Sequence, residues 1–208
     1  MEKKVISEAV IKRLPKYYRQ LRLLSEQGQA KVSSHALAQM LGITASQVRQ
    51  DFCNFGGFGQ QGYGYDVEKL KGELGAILGL TKEYAMIIVG AGNIGRALAG
   101  YQGFGKYGFR VKALFDAAPA SDRVGELPLY SMDRLESYLR AETIDMAVIA
   151  TPKQVAQQVA DRLTELGVTM IWNFAPIDLT VQPGVVIENI SMSESLLVLS
   201  YRANENKD

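Results

Sequence analysis

The chain has 208 residues, 47% hydrophobic and 22% charged, with a formal net charge of +1; that is enough for one medium domain or two small ones with sizeable cores. No apolar run reaches the length of a bilayer span, and the start, MEKKVISEAV, lacks the apolar core and cleavage site of a signal peptide. A single cysteine, Cys53, excludes an internal disulfide framework and suits a reducing compartment, so a cytoplasmic protein with no membrane partner is expected.

Charge is unevenly spread along the chain. Residues 1–80 carry eleven Lys/Arg against seven Asp/Glu, and residues 81–208 carry twelve against fifteen. A polyanion partner is therefore suggested for the N-terminal part alone. Residues 7–27 read as a helix with Ser7 as cap, a kink or break at Pro15 and Gly28 just past the end. Its apolar stripe is Leu14, Tyr17, Tyr18, Leu21 and Leu24, and Lys12, Arg13, Lys16, Arg19 and Arg22 fall largely away from it. Next, Ser34 is expected to cap a short helix bearing Leu37, Ala38 and Leu41. Gly42 turns the chain, and Thr44 with Gln47 forms a T-x-x-Q capping box for a second helix. Helix, glycine turn and capped helix make a helix-turn-helix. Ser46, Gln47, Arg49 and Gln50 on its wet side are the candidate DNA-reading residues, with Lys16 and Gln61 beside them. The glycine-aromatic stretch 56–66 reads as a small hairpin, the wing of a winged-helix domain, and 66–80 as one more amphipathic helix. Domain boundaries follow: 1–80 winged helix, 85–190 dinucleotide-binding domain, and 191–208 C-terminal helix and tail.

From residue 85 onward strands and helices alternate, as in a parallel α/β sheet. Strands are expected at 85–89, 110–115, 144–150, 168–173 and 185–188, and helices at 93–103, 133–140, 152–166 and 192–203. The turn Gly90-Ala91-Gly92-Asn93-Ile94-Gly95 follows a strand and opens a helix, and Asp116 closes the next strand. That context turns a weak G-x-G-x-x-G into a Rossmann-like NAD(H) site. Gly90 allows the tight turn, Gly92 lets backbone N–H groups approach a pyrophosphate, and Gly95 lets helix and strand pack closely. Asp116 would accept from the ribose hydroxyls, which favours NAD⁺ and NADH over the 2′-phosphorylated forms. Thr151 and Pro152, at the end of the IATP strand, are further candidates for this pocket. Ser191 and Glu194 make an S-x-x-E box ahead of the last helix.

Catalytic groups are scarce. His35, the only histidine, lies in the first helix of the helix-turn-helix. Cys53 sits between Phe52 and Phe55 and reads as a buried structural thiol, while Lys153 reads as a solvated helix start. No cluster has metal-ligand spacing, so no metal and no enzymatic activity are expected. The alternatives are an NAD-dependent oxidoreductase with a helical cap, or a cofactor-bound scaffold without DNA contact.

Five motifs in this order, RLPKYYR, ASQVRQDF, FGGFGQQGYGYDVEKL, IIVGAGNIGRALAGYQGF and WNFAP, resemble the Rex family of redox-sensing transcriptional repressors over nearly the whole chain. The resemblance implies a winged-helix domain followed by a Rossmann-like domain, in a homodimer whose C-terminal helices are swapped. It implies binding of palindromic double-stranded operator DNA, release by NADH and compatibility with NAD⁺. By position, Arg49 with Gln47 and Gln50 would face DNA, Tyr101 would approach the nicotinamide, and Arg19 would connect the first helix to the cofactor domain. Family members often carry basic residues where this chain has Gln50, Gln60 and Gln61. They often carry an acidic and an aromatic residue where it has Ser191 and Met192, the positions that would take part in switching, and a second acidic residue where it has Ala118.

Overall fold

The computed structural model describes residues 6–56, 58 and 64–205. Its contacts divide the chain into two compact units, Met1–Lys82 and Glu83–Asp208. In the first unit, helix α1 (Glu8–Ile11) is followed by α2 (Leu14–Glu26), which starts with Pro15 in its first turn. A proline there sacrifices only a donor with no helical partner, so Pro15 starts a helix instead of kinking one. Ser7 stands at the start of α1 but makes no side-chain cap. Gly28 follows α2 at φ +72°, in the left-handed region.

Strand β1 (Lys31–Val32) leads into α3 (Ser34–Leu41). The cap of α3 is Ser33, one residue earlier than expected: its Oγ accepts from Ala36 N at 3.0 Å. Gly42 ends the helix at φ +66°, and Thr44 Oγ1 accepts from Gln47 N at 3.1 Å to open α4 (Ala45–Cys53). The capping box is one-sided, because the Gln47 side chain is bonded elsewhere. Leu37, Ala38, Val48 and Phe52 are buried between α3 and α4, in one core with Tyr17, Leu21 and Leu24 of α2. Strand β2 (Tyr65–Asp66) pairs antiparallel with β1, Val32 opposite Tyr65. The 56–66 stretch was expected to pair with itself, yet its described strand pairs with residues upstream of α3. Val32 is buried there, and a Cβ on Gly64 would lie 2.8 Å from Val32 O, so only glycine permits the approach. Residues 57 and 59–63, and with them Gln60 and Gln61, lie outside the described residues. Asp66 Oδ1 accepts from Lys69 N at 2.8 Å and caps α5 (Val67–Ile77). The interior glycine Gly75 of α5 is buried, and a Cβ there would meet the Tyr18 ring at 3.4 Å.

The second unit contains β3 (Tyr84–Val89), α6 (Asn93–Ala99), β4 (Phe109–Asp116), β5 (Arg123–Val124) and β6 (Leu127–Ser131). There follow α7 (Leu135–Ala141), β7 (Met146–Ile149), α8 (Lys153–Glu165), β8 (Met170–Asn173), β9 (Val186–Asn189) and α9 (Met192–Glu205). The sheet order is β5-β6-β4-β3-β7-β8-β9, with every pair parallel except β5 with β6. Alternate residues of β3 and β7 feed opposite faces. Ile87, Val89, Ala147 and Ile149 pack with Ala156, Ala160 and Leu163 of α8, while Met86, Ile88 and Val148 pack on the other face with Leu98, Phe104 and Trp172. The β5–β6 pair was not anticipated. The helix expected over 93–103 stops at Ala99, and Phe104–Tyr107 forms a separate 3₁₀ turn among Gly100, Gly103 and Gly105. Among the described residues no helix is long and apolar enough to cross a membrane.

Candidate functional site

Strand β3 is central, with β4 on one side and β7 on the other, so the loops leaving β3 and β7 bound the crevice where chain direction switches across the sheet. The glycine turn lies in that crevice. Gly90 adopts φ +103°, and a Cβ there would stand 2.4 Å from Ala150 O at the end of β7. A Cβ on Gly95 would stand 1.9 Å from Gly90 O, so helix α6 can sit on the turn only without one. A Cβ on Gly92 would meet nothing within 4 Å. Two glycines are thus required by the protein's own packing, and the middle one opens onto free space. Gly92 is the N-cap of α6 and supplies no side-chain acceptor for the N–H groups of the first turn, at Asn93 and Ile94.

Asp116, at the end of β4, accepts from Ala91 N through Oδ2 at 2.7 Å and from Ala118 N through Oδ1 at 3.0 Å. It braces the glycine turn, and each oxygen retains acceptor capacity for a diol. Arg96 Nε donates to Ala91 O at 2.8 Å, fixing the turn from the helix side. Across the crevice, Thr151 Oγ1 is buried with no hydrogen-bond partner, and Pro152 precedes α8 without making a side-chain cap. An orphaned hydroxyl, open space at Gly92 and an uncapped helix start fit a dinucleotide phosphate. At the C-terminal end of α6, Tyr101 is 59% exposed and meets Phe104 edge-on at 4.8 Å. Phe104 contacts Trp172, which contacts Phe174. A Cβ on Gly103 would lie 2.4 Å from the Tyr101 ring, so this glycine lets the tyrosine fold over the backbone.

In the first unit, Ser46, Arg49 and Gln50 are exposed on α4, and Lys16 and Arg19 are exposed on α2. Arg49 Nη1 donates to Ser34 Oγ of α3 at 3.2 Å. Tyr65 of β2 lies against Phe52; burial raises its pKa, and the nearby Arg49 charge partly opposes that shift. Cys53 is exposed, contrary to the expected burial, because the inner face of α4 is filled by Val48, Asp51 and Phe52. His35 is exposed as well. Among the described residues no group of three or more His, Cys, Asp or Glu could hold a metal ion.

Residues 5–53 match a model described as a putative DNA-binding protein N-terminus, and residues 81–177 match one described as a CoA binding domain. The chain is 50% identical to the redox-sensing transcriptional repressor Rex of Clostridioides difficile, strain 630, over 98% of each chain. It is 49% identical to that of Clostridium tetani, over 100% of this chain and 99% of the relative. The chain belongs to the Rex family. Among solved structures, the Rex-family repressor RSP in complex with beta-NAD+ and operator DNA superposes with a TM-score of 0.92 at 46% identity, over 99% of this chain and 95% of that one. RSP in complex with beta-NADH gives 0.88 at 43% identity, over 99% and 97%.

The feature of this Rex chain that its motifs did not disclose is a buried carboxylate on the inner face of α4. Asp51 of α4 is fully buried. Arg13 Nε donates to its Oδ2 at 2.6 Å and Nη2 to its Oδ1 at 2.8 Å, Tyr17 OH donates to Oδ2 at 2.8 Å, and Gln47 Nε2 donates to Oδ1 at 2.7 Å. Burial alone would push the Asp51 carboxyl up, but these donors and the Arg13 charge together hold it below the ordinary aspartate value. A signal was present in the Rex sequence: Asp51 shares the inner face with Val48 and Phe52, where a charge is stable only if paired.

Proposed function

We propose that this protein is a repressor that gauges the NADH/NAD⁺ ratio, binding palindromic operator DNA as a homodimer and leaving it when NADH binds. The observation that carries the reading is the full-length likeness to RSP, solved with beta-NAD+ and operator DNA and, separately, with beta-NADH. The chain's own residues support it. It pairs a helix-turn-helix, with Ser46, Arg49 and Gln50 exposed, with a dinucleotide turn at Gly90 to Gly95 whose middle glycine opens onto free space. It is a regulator, not an enzyme, and it acts in the cytoplasm.

In this reading Arg49, Ser46 and Gln50 contact DNA from α4, with Lys16 on α2 and Gln61 in the wing supplying flanking contacts. Gly90 to Gly95 cradle the pyrophosphate, the N–H groups of Asn93 and Ile94 meet its charge, and Asp116 accepts from the ribose. Thr151 Oγ1 finds its missing partner on the cofactor, with Pro152 closing that side. Tyr101 lies against the nicotinamide. Helix α9 crosses to the partner subunit, so that Ser191 and Met192 at its start, together with Arg19, pass the state of one pocket to the DNA-binding units.

The test is fluorescence anisotropy of a labelled palindromic promoter fragment titrated with protein alone, with excess NAD⁺ and with added NADH. Sequence-specific retention reversed by NADH is expected. Specific retention indifferent to both nucleotides sinks the redox reading. No specific retention on any of several fragments sinks the repressor and revives the oxidoreductase.

A further inference from the structure

The buried carboxylate behind α4 decides more than helix position. An ionised Asp51 can only accept hydrogen bonds, so the amide of Gln47 must turn its NH₂ toward it, and the opposite flip would set Oε1 against Oδ1. Among the described residues nothing donates to the Gln47 Oε1. Gln47 is the third residue of α4, in the first turn, the part of a recognition helix that reaches base edges. An amide with a free carbonyl and one remaining N–H matches the N6 amino group and N7 of adenine, the pairing geometry allows for glutamine in the major groove.

We propose that Asp51 is the positioning residue of the DNA-reading helix, tying it to α2 through Arg13 and Tyr17 and holding Gln47 with its carbonyl free to select adenine at one position of each half-site. Gln47 is thus a reader whose orientation is set from within the core. Asp51 touches no base and acts through Gln47. The inference rests on the repressor reading above and adds which residue selects which base.

The experiment is binding-site selection by the full-length protein from a pool of random-core duplexes, with the enriched sequences read out position by position. The wild-type chain should enrich a palindrome with one adenine position per half-site that discriminates about tenfold against other bases. Gln47→Met, close in shape but without the amide, should lose discrimination at that position alone. Asp51→Asn, which can itself donate and so releases the amide to flip, should lose it at the same position. Arg13→Lys, which keeps the charge but cannot make both bonds, should blur that position and is available if Asp51→Asn folds poorly. A helix-stabilising role alone would lower affinity for all sequences equally and leave the profile intact. A Gln47→Met profile identical to wild type overturns the inference while the repressor stands. So does an Asp51→Asn or Arg13→Lys profile identical to wild type, or discrimination by Gln47 in favour of any base other than adenine. A wild-type chain that enriches no palindrome overturns the inference and the repressor reading together.

Discussion

The three glycines of the turn do different things, and substitution separates them. Gly95→Ala drives a Cβ into Gly90 O, so the turn must distort and the second unit should lose both stability and NADH binding. Gly92→Ala meets no protein atom, so its melting temperature should stay near wild type while NADH affinity falls at least about tenfold, since the added methyl would occupy the space proposed for the phosphate. Thermal melts beside NADH titrations check both, and a Gly92→Ala protein with wild-type affinity would put the phosphate elsewhere. Asp51 gives a second residue-scale prediction. Its folded pKa is depressed, so its contribution to stability is present above the unfolded aspartate value of about 3.9 and is lost as pH falls through the folded value. Hydrogen-exchange protection of α2 and α4 should therefore decline below about pH 4 in the wild type and show a flatter decline in Asp51→Asn. Asp51→Ala leaves Arg13 facing a void and should cost about 3 kcal/mol, measured by denaturant unfolding of the full chain. The glycine spacing was legible because backbone constraints leave a linear signature. The Asp51 network was not, because its partners Arg13 and Tyr17 lie 38 and 34 residues away and only packing unites them.

Elements announced by caps and periodicity, the parallel strands β3, β4, β7, β8 and β9 of the second unit among them, were legible in the sequence, and the shortest strands, made by pairing alone, were not. Thr44 capping α4, and Ser191 Oγ accepting from Glu194 N at 3.3 Å at the head of α9, are local events written in adjacent residues. The two-residue strands β1, β2 and β5 carry no periodicity of their own and exist only through their partners. Helix α9 poses the sharpest element-scale problem. Leu196, Leu197 and Leu199 are more than 60% exposed, and no residue of the helix is buried. Apolar side chains so presented call for a covering surface, and a second copy of the chain supplies one in the proposed dimer. Leu196→Glu with Leu199→Glu, one turn apart on a shared face, should convert the dimer to monomers in sedimentation experiments. The same variant should lose operator affinity, since one half-site contact is weak alone. A stable dimer in that variant would place the interface elsewhere.

At the scale of the whole molecule the question is how a ligand on one unit governs DNA on the other. NAD⁺ and NADH differ by one charge and by the planarity of the nicotinamide ring, so the pocket must contact that ring with something that moves. Tyr101 is exposed and lies over Gly103 just after α6, which suits it to the task. Coupling is limited by the difference in ligand affinity between the DNA-bound and free dimer, and hundredfold regulation requires about 2.7 kcal/mol. Linkage then dictates the sign. If NADH releases operator DNA, operator DNA must weaken NADH binding by the same factor. NADH titrations followed by nicotinamide fluorescence, with and without saturating operator duplex, should show that shift. Tyr101→Ala should shrink it more than it changes NADH affinity in free protein, because a residue that reports the ring state contributes to the difference between states. Equal NADH affinities in the presence and absence of operator would mean that the cofactor binds without governing DNA. The dinucleotide turn would then serve the fold's stability and not its response.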